Sequence, residues 1–431
     1  MCNKSTVKEL TVIYRQEIIN DINLFTSQPK AKFYSTLFLY LDVSPILKSA
    51  AKTGRPSMRV AMSCAFIVMK CEGFSQVSDL HDYLTNNLLV AYYCGFDITK
   101  PLPSPSTLRR FIRNLDNKIL KEVMQSQVLQ LAKLGIIDTS FIGLDSTPVM
   151  ANTHLNNPKS FAPGRFGQEP KADKDSRLGV RTASSQHVEK NFEFYFGYKN
   201  HVLSDNITGL PIYEITTGAD VYDSTVALDI LAKTHSFLSL TGCYFIGDKA
   251  YDVKEIYNTV KSTYEGECFI PINTRNTKDP KKLPAGNIIC EAGLAMHKFG
   301  KTRSEGRLRQ KFACPFRTSK NSVCPCNHKN WNNGKKNRGC FKHITIPVDY
   351  RLSIDRHSIE FKSVYALRTE CERYNSRFKS TGQERLWVRN GKSTENLNTI
   401  AHISLLSIAV ATVITKSEVS YRCLKSVKRV A

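Results

Sequence analysis

The amino-acid sequence predicts a mixed α/β protein in which a helical region precedes a five-stranded sheet with flanking helices, and a basic insert interrupts the sheet. Apolar residues recur at helical spacing up to about residue 135. Beyond that point, short apolar runs that end in Gly or Asp alternate with helical stretches, as in strands joined by crossover helices. A basic segment with several cysteines then breaks this alternation.

These changes of pattern predict four segments along the 431 residues, a length at which one core usually stops growing. The prediction is a helical region at 1–135, the first part of the sheet domain at 136–273, a basic cysteine-rich insertion at 274–345, and the second part of the sheet domain at 346–431.

The charge of the chain restricts its partners. There are 61 Lys and Arg residues against 38 Asp and Glu, a formal net charge of +23. A surplus of this size attracts polyanions over several ångströms, and nucleic acid is the commonest such partner. The composition therefore predicts a nucleic-acid-binding protein.

A membrane partner is not expected. The N-terminus has neither the basic-then-apolar pattern of a signal peptide nor a lipidation motif. The apolar stretch 400–414 is shorter than a bilayer requires and contains His402, so it is predicted to be a buried core helix. Thirteen cysteines without a regular spacing favour a reducing cytoplasm.

Within the helical region, the segment 103–107 combines prolines with Ser and Thr, which predicts a break followed by a capped helix. That helix carries Arg109, Arg110 and Arg113. Behind a turn, these arginines are placed to face a phosphate backbone or a groove, as in a recognition helix. The alternative is a charged face that only contacts water.

In the sheet domain, the run that ends at Asp145 has the apolar character of a central strand. A turn of hairpin type at 205–209 predicts that the strands on either side of it are antiparallel. Later strands are separated by helical stretches, which implies crossovers and parallel pairing. The further strands are expected at 192–202, 210–216, 243–247 and 268–272, with helices at 226–238 and 253–262, and a polar loop at about 156–190.

Two aspartates stand at the ends of apolar runs. Asp145 ends the first strand, and Asp248 follows a strand at 243–247. An ionised carboxylate beside a buried strand is unfavourable unless it is paired, hydrogen-bonded or bound to a metal. Each aspartate taken alone is more often a turn former or a helix cap, but the pair points to one shared site.

A third carboxylate lies in a helical segment with an unusual polar face. Tyr365, Arg368, Glu372 and Lys379 are separated by offsets of three, seven and fourteen residues. At about 100° per residue these offsets fall within an arc of roughly 60°, so one helix is expected to carry all four on one face. Such a face brings one acid together with cations that can meet phosphates.

These four residues match the Y-x2-R-x3-E-x6-K signature of insertion-sequence transposases of the IS-four type, and the chain resembles that superfamily over about 50–415. The contexts of Asp145 (Leu-Asp-Ser-Thr) and Asp248 (Gly-Asp-Lys-Ala-Tyr) are similar to its other two acids. The resemblance implies an RNase H-like fold with the first acid on the central strand, the second at a neighbouring strand end, and the third on a helix beside the sheet.

The resemblance further implies a DNA transposase of the DDE class. In that class Asp145, Asp248 and Glu372 hold two Mg²⁺ or Mn²⁺ ions that promote in-line displacement at DNA phosphodiesters, first by water and then by the freed 3′-hydroxyl. Tyr365, Arg368, Lys379 and Lys249 are the expected DNA contacts in the core. The implied partners are double-stranded DNA, both element ends and target, and a second copy of the chain, in a cytoplasmic, nucleoid-associated setting.

Two rival interpretations stay open. One is a catalytically silent DNA-binding protein descended from a transposase, which intact acids and an intact helix signature disfavour. The other is a metal-dependent nuclease without strand transfer, which would use the same three carboxylates.

The insert suggests a second metal. Cys314, Cys324, Cys326 and Cys340 lie within thirty residues among Lys and Arg, which predicts a structural zinc site. The alternative is a reduced loop without metal, because Cys324 and Cys326 have one intervening residue where structural zinc sites usually have two to four.

Overall fold

The computed structural model describes most of the chain. The described residues are 26–49, 58–157, 167–183, 191–273, 288–304, 307–318, 339–345, 351 and 354–416.

The first described part of the chain is helical, as predicted. Its helices are α1 (Pro29–Leu39), α2 (Ser44–Lys48), α3 (Arg59–Glu72), α4 (Val77–Asn86), α5 (Leu88–Cys94), α6 (Pro105–Asn114) and α7 (Asn117–Lys133). The capping signal before α6 is confirmed, since the Ser104 hydroxyl accepts a hydrogen bond from the Thr107 N–H. Helix α3 ends at Gly73, whose φ of 76° closes the helix in the left-handed conformation.

A mixed sheet follows. Its strands are β1 (Phe141–Met150), β2 (Arg177–Ala183), β3 (Asn191–Asp205), β4 (Leu210–Gly218), β5 (Tyr244–Ile246) and β6 (Glu267–Phe269). Strand β1 is central: it pairs antiparallel with β3 and parallel with β5, which in turn pairs parallel with β6. The spatial strand order β4-β3-β1-β5-β6 is the RNase H-like arrangement that the resemblance implied.

The long strand β3 has several partners. Its first half pairs with β2, and its second half pairs with both β1 and β4. The turn between β3 and β4 is the predicted antiparallel hairpin, closed by Gly209 at a φ of 67°. Strand β2 corrects the sequence analysis, which expected a polar loop at 156–190. Its side chains are too polar to mark a strand alone, and pairing with β3 supplies the missing hydrogen bonds.

Helices cover the sheet and join its strands. They are α8 (Asp223–His235), α9 (Lys254–Thr263), α10 (Ile359–Ala366), α11 (Thr369–Phe378) and α12 (Gly391–Ile414). Helices α8 and α9 lie in the crossovers that lead to β5 and β6, as expected for parallel strands.

Helix α12 is the predicted core helix. It is long and apolar enough to cross a membrane by length and composition, but 83% of that window is buried within the fold. It packs against α7 and α3 of the helical region and against β4 of the sheet. One hydrophobic cluster consequently runs from Tyr34 to Val410 and includes side chains from the helical region, the main sheet and α12. The segment boundaries proposed from sequence remain predictions.

The insert forms a separate small sheet. Its strands β7 (His297–Ser304), β8 (Arg307–Ala313) and β9 (Phe341–Thr345) are antiparallel in that order. Lys311 and Arg317 lie over the ring of Phe341, at 3.8 Å and 4.2 Å from its centroid. The insert is thus an ordered basic β-structure in its described parts.

Candidate active site

The two predicted aspartates come together through strand register. Strands β1 and β5 are parallel neighbours, with Phe141 opposite Tyr244 and Gly143 opposite Ile246. This offset of 103 residues (244 − 141) also separates Asp145 from Asp248 (248 − 145). Asp248 follows the end of β5 by two residues, and its negative charge acts on Asp145. The middle of β1 and the carboxyl end of β5 therefore bring two carboxylates into one neighbourhood.

Asp145 is held in a defined orientation. One carboxylate oxygen accepts a hydrogen bond from the backbone N–H of Ser146 at 2.9 Å, and the other accepts one from Asn375 Nδ2 at 2.9 Å. Burial raises the pKa of Asp145 to about 7, the negative charge of Asp248 adds to the rise, and Arg368 opposes it. The positive charge near Asp145 is therefore too small to keep the pKa of this carboxyl at its ordinary value.

Close packing brings α11 onto the sheet beside Asp145. Gly143 precedes Asp145 by two residues and so faces the same side of β1. A Cβ at Gly143 would lie 2.5 Å from Cys371 Sγ and from Asn206 Oδ1, so only glycine permits this approach. Cys371 Sγ also donates to Asn206 Oδ1 at 3.3 Å, which fixes the helix on the hairpin turn.

The signature residues are not on one continuous helix, which corrects the sequence analysis. Tyr365 lies near the end of α10, Arg368 at the junction, and Glu372 in α11. At the junction the N–H groups of Arg368 and Cys371 donate to carbonyls three residues earlier. This tighter turn interrupts the α-helical hydrogen bonds and shifts the phase between the two helices. A single face that carries all four signature residues would require an uninterrupted helix.

The junction nevertheless keeps Tyr365, Arg368 and Glu372 in one electrostatic neighbourhood with the two aspartates. Burial raises the pKa of the Tyr365 hydroxyl, and the charges of Asp248, Glu372 and Asp145 add to this rise. Burial disfavours the charge of Arg368, but Asp145 and Glu372 outweigh it and raise its pKa. The five side chains thus share one site.

Glu372 does not join the aspartates as a ligand in this conformation. Its carboxylate pairs with Arg368 Nη1 at 2.6 Å, and its side chain is 59% exposed. In the part of the chain that the structure describes, no group of three or more His, Cys, Asp or Glu side chains has metal-binding geometry. The donor set of Asp145 and Asp248 fits a hard divalent cation, since both donors are carboxylates and each acts on the charge of the other. Glu372 completes it only if its side chain leaves Arg368.

Sequence reasoning missed three residues of the site. Asn375 holds Asp145, and its position three residues after Glu372 was the signal that it shares the helix face. Asp223, at the start of α8, adds negative charge to Asp145 and binds Lys199 Nζ at 3.2 Å. Tyr251 is buried, and its hydroxyl has no hydrogen-bond partner among the described residues. Tyr251 ends the Gly-Asp-Lys-Ala-Tyr context of the second acid, which was the signal that could have included it.

The remaining predicted contacts lie around this centre. Lys379 follows α11 and is half-buried, and Lys249 is exposed in the turn after Asp248. Arg109, Arg110 and Arg113 are exposed on α6. Their roles toward DNA remain predictions.

His201 on β3 is fully buried and bonds through Nε2 to Thr217 at 2.9 Å. Burial lowers its pKa to about 4, so it is a neutral core histidine at ordinary pH.

Two of the four cysteines predicted to bind zinc lie in the described residues. Cys314 and Cys340 are buried together in the insert core with Cys290, and the Cys314 N–H donates to the Cys340 carbonyl at 3.0 Å. Cys324 and Cys326 lie outside the described residues. Zinc at the insert stays a prediction.

An RNase H-like sheet with neighbouring carboxylates is an arrangement typical of polynucleotide-processing enzymes. The chain belongs to the transposase DDE domain family, whose model matches residues 133–406, more than half of its length. A second model, described as Transposase domain (DUF772), matches residues 23–114 in the helical region. The protein is accordingly a transposase with an N-terminal transposase domain.

Among solved structures, the chain is similar to the piggyBac transposase in a cryo-EM synaptic complex with hairpin DNA. The TM-score is 0.38 at 9% identity, over 94% of this chain and 77% of that one. No curated protein sequence matches the chain significantly.

Proposed function

We propose that this transposase cuts the ends of an insertion sequence and joins them to target DNA at a site formed by Asp145, Asp248 and Glu372. The observation that carries the proposal is that Asp145 on β1 and Asp248, just after the neighbouring parallel strand β5, act on each other electrostatically, with the Arg368–Glu372 pair beside them. A chain of the transposase DDE domain family with this arrangement has the parts that phosphodiester chemistry requires.

The same three carboxylates would hold Mg²⁺ or Mn²⁺, two ions in the proposal. When bound, such ions activate the attacking oxygen and stabilise the leaving one. The uncompensated negative charge at Asp145 supports this assignment, because burial already raises the pKa of that carboxyl to about 7.

The protein's own side chains have distinct tasks. Asn375 and the Ser146 N–H orient Asp145, so that its carboxylate points into the site. Arg368 pairs with Glu372 until metal ions occupy the site, and its guanidinium is then free to contact a phosphate oxygen. Lys379 and Tyr365 flank the same surface and are proposed to contact the DNA backbone.

The proposal extends to partners. The net charge of +23 supports double-stranded DNA as the ligand, both at the element ends and at the target. Joining two ends at once requires two active sites, so we propose that the protein acts as a homodimer on DNA, associated with the nucleoid in the cytoplasm.

The deciding experiment is cleavage and joining of duplexes that carry the element's own ends, with Mg²⁺ or Mn²⁺. Wild-type protein is expected to cut and join, while Asp145→Asn, Asp248→Asn and Glu372→Gln bind without cutting. Matched controls are Asp229→Asn and Glu360→Gln, which change exposed acids on other helices and should retain both steps.

The outcomes separate the rival functions. Cutting without joining, by a protein that binds paired ends, identifies a nuclease rather than a transposase. Binding without any cutting under either metal identifies a silent DNA-binding descendant. Retained cutting by Glu372→Gln removes Glu372 from the site.

A further inference from the structure

A basic cleft lies between the helical region and the segment that leads into α12. Its volume is about 560 Å³. It is lined by Ser75, Gln76, Val77, Ser106, Arg109, Arg110, Ile112, Arg113, Asn152, Trp387, Val388, Arg389, Asn390 and Ser393. Both parts of the molecule thus contribute to one surface.

The cleft carries only positive charge. Arg109, Arg110 and Arg113 come from α6, and Arg389 faces them from the other wall. No Asp or Glu lines it, and within the described residues none of these four arginines has an ion-pair partner. Four exposed guanidinium groups around one cleft repel each other unless anions lie between them. The charge is therefore complementary to a phosphate backbone rather than to another protein face.

An exposed aromatic ring completes the cleft. Trp387 is 47% exposed although it is one of the largest apolar side chains. The guanidinium of Arg385 lies 5.5 Å from its ring centroid and supports the ring from one side. A flat apolar surface next to cations suits a nucleotide, whose sugar and base are apolar and whose phosphate is charged.

The segment that carries Trp387 is fastened to the catalytic strand. The Met150 N–H donates to the Glu384 carbonyl at 3.0 Å, and the Leu386 N–H donates to the Met150 carbonyl at 3.3 Å. Met150 ends β1, five residues after Asp145. At about 3.3 Å per residue the cleft wall lies roughly 16 Å from the catalytic carboxylate, which is about five base pairs of B-DNA.

We propose that this cleft binds duplex DNA about five base pairs from the phosphodiester that is cut. The four arginines contact phosphates on both sides of the cleft, and Trp387 packs against the deoxyribose and base edge of one nucleotide. Because the wall is hydrogen-bonded to β1, binding there sets the position of the scissile phosphate relative to Asp145. The inference rests on the proposed function and adds a second, non-catalytic contact to it.

The first test is DNA affinity against salt concentration. The probe is a fluorescein-labelled duplex from the element end, with Arg109→Ala/Arg113→Ala compared with the control Lys133→Ala/Lys233→Ala, which removes two exposed charges away from the cleft. Loss of two phosphate contacts should lower the slope of log affinity against log salt by about 1.8, since each contact contributes about 0.9. The control should keep the wild-type slope.

The second test locates the contact. Phosphate-ethylation interference on the same duplex should show a wild-type signal about five base pairs from the cut, and the double arginine variant should lose that signal alone. Trp387→Ala should weaken binding about tenfold without altering the salt slope, because the apolar contact with deoxyribose and base edge involves no charge. Thermal unfolding of each variant confirms that it is folded.

The outcomes distinguish this inference from the proposed function. An unchanged slope and interference pattern in the arginine variant, with cleavage retained, overturns the cleft and leaves the transposase activity intact. An interference signal on the element end that the arginine variant loses, in a wild type that never cuts with either metal, supports DNA binding by the cleft and overturns the catalytic proposal.

Discussion

Replacement of Asp145 by Asn should stabilise the fold at alkaline pH while abolishing cleavage. Burial raises the pKa of this carboxyl from 3.8 to about 7, so the folded protein binds a proton that the unfolded chain releases between those values. A raised acid pKa contributes stability that is complete at low pH and is lost as pH rises through the folded pKa. The wild type therefore loses stability between about pH 4 and about pH 7 through this one group.

The magnitude follows from the same values. The difference between 3.8 and about 7 corresponds to about 4 kcal/mol in the free energy of unfolding. Asp145 keeps some contact with water, and screening reduces the effect to an expected value of about 2 kcal/mol. The carboxamide of Asp145→Asn is neutral at every pH and accepts one hydrogen bond where the carboxylate accepts two, a loss of about 1 kcal/mol that does not depend on pH.

The assay is urea unfolding of both proteins without divalent metal, near pH 5 and near pH 8. Because part of the loss has already occurred by pH 5, the variant should gain about 1 kcal/mol in free energy of unfolding relative to wild type between the two conditions. Asp229→Asn, which removes an exposed carboxylate paired with Lys233, is the control and should show no such change. A wild-type-to-variant difference that is equal at both pH values would refute the reasoning, because Asp145 would then be ionised throughout.

Other predictions follow from the same structure. Mg²⁺ near pH 8 should raise the melting temperature of the wild type but not of Asp145→Asn; equal shifts would place the ion elsewhere. Asn375→Ala should lower the cleavage rate about tenfold to a hundredfold with unchanged DNA affinity, and an unchanged rate would mean that Asp145 needs no orienting partner. Gly143→Ala forces a Cβ to 2.5 Å from Cys371 Sγ and should destabilise the fold by about 1–3 kcal/mol in calorimetry, whereas Gly167→Ala meets no atom within 4 Å and should not. Lys70 is fully buried with its pKa lowered to about 7, so wild-type stability should rise with pH between about 7 and about 10 relative to Lys70→Met; a constant difference in urea unfolding would contradict this.

Much of the site was predictable because its parts are local. The acid at the end of an apolar run and the acid after a short strand are recognisable from neighbouring residues. Asp248 follows its strand as predicted, whereas β1 continues to Met150, so Asp145 lies in the middle of its strand and does not end it. The Ser104 cap was predictable for the same reason, since the bond it makes spans three residues.

The pairings between distant parts were not predictable. Asn375 meets Asp145 across 230 residues, and the buried Lys70 amine bonds to Gln383 Oε1 at 2.8 Å across 313 residues. Neither residue type signals its partner, because a polar side chain has the same local appearance whether it contacts water or a distant group. The break in the helix at Arg368 was also not predictable, since the spacing of the signature residues predicted an uninterrupted helix.

Strand β2 and the strands of the insert were not predicted. The sequence by itself determined the helical first part of the chain, the other strands of the main sheet, the basic character of the chain and the three candidate acids. These depend on periodicity and residue type, which neighbouring residues encode. Only the tertiary structure decided that the strand of Asp145 pairs with the strand that precedes Asp248, that Glu372 pairs with Arg368, and that α6 and Trp387 share one cleft. The physical reason is that strand register and helix packing arise from the fit of surfaces far apart in the chain, which no local pattern specifies.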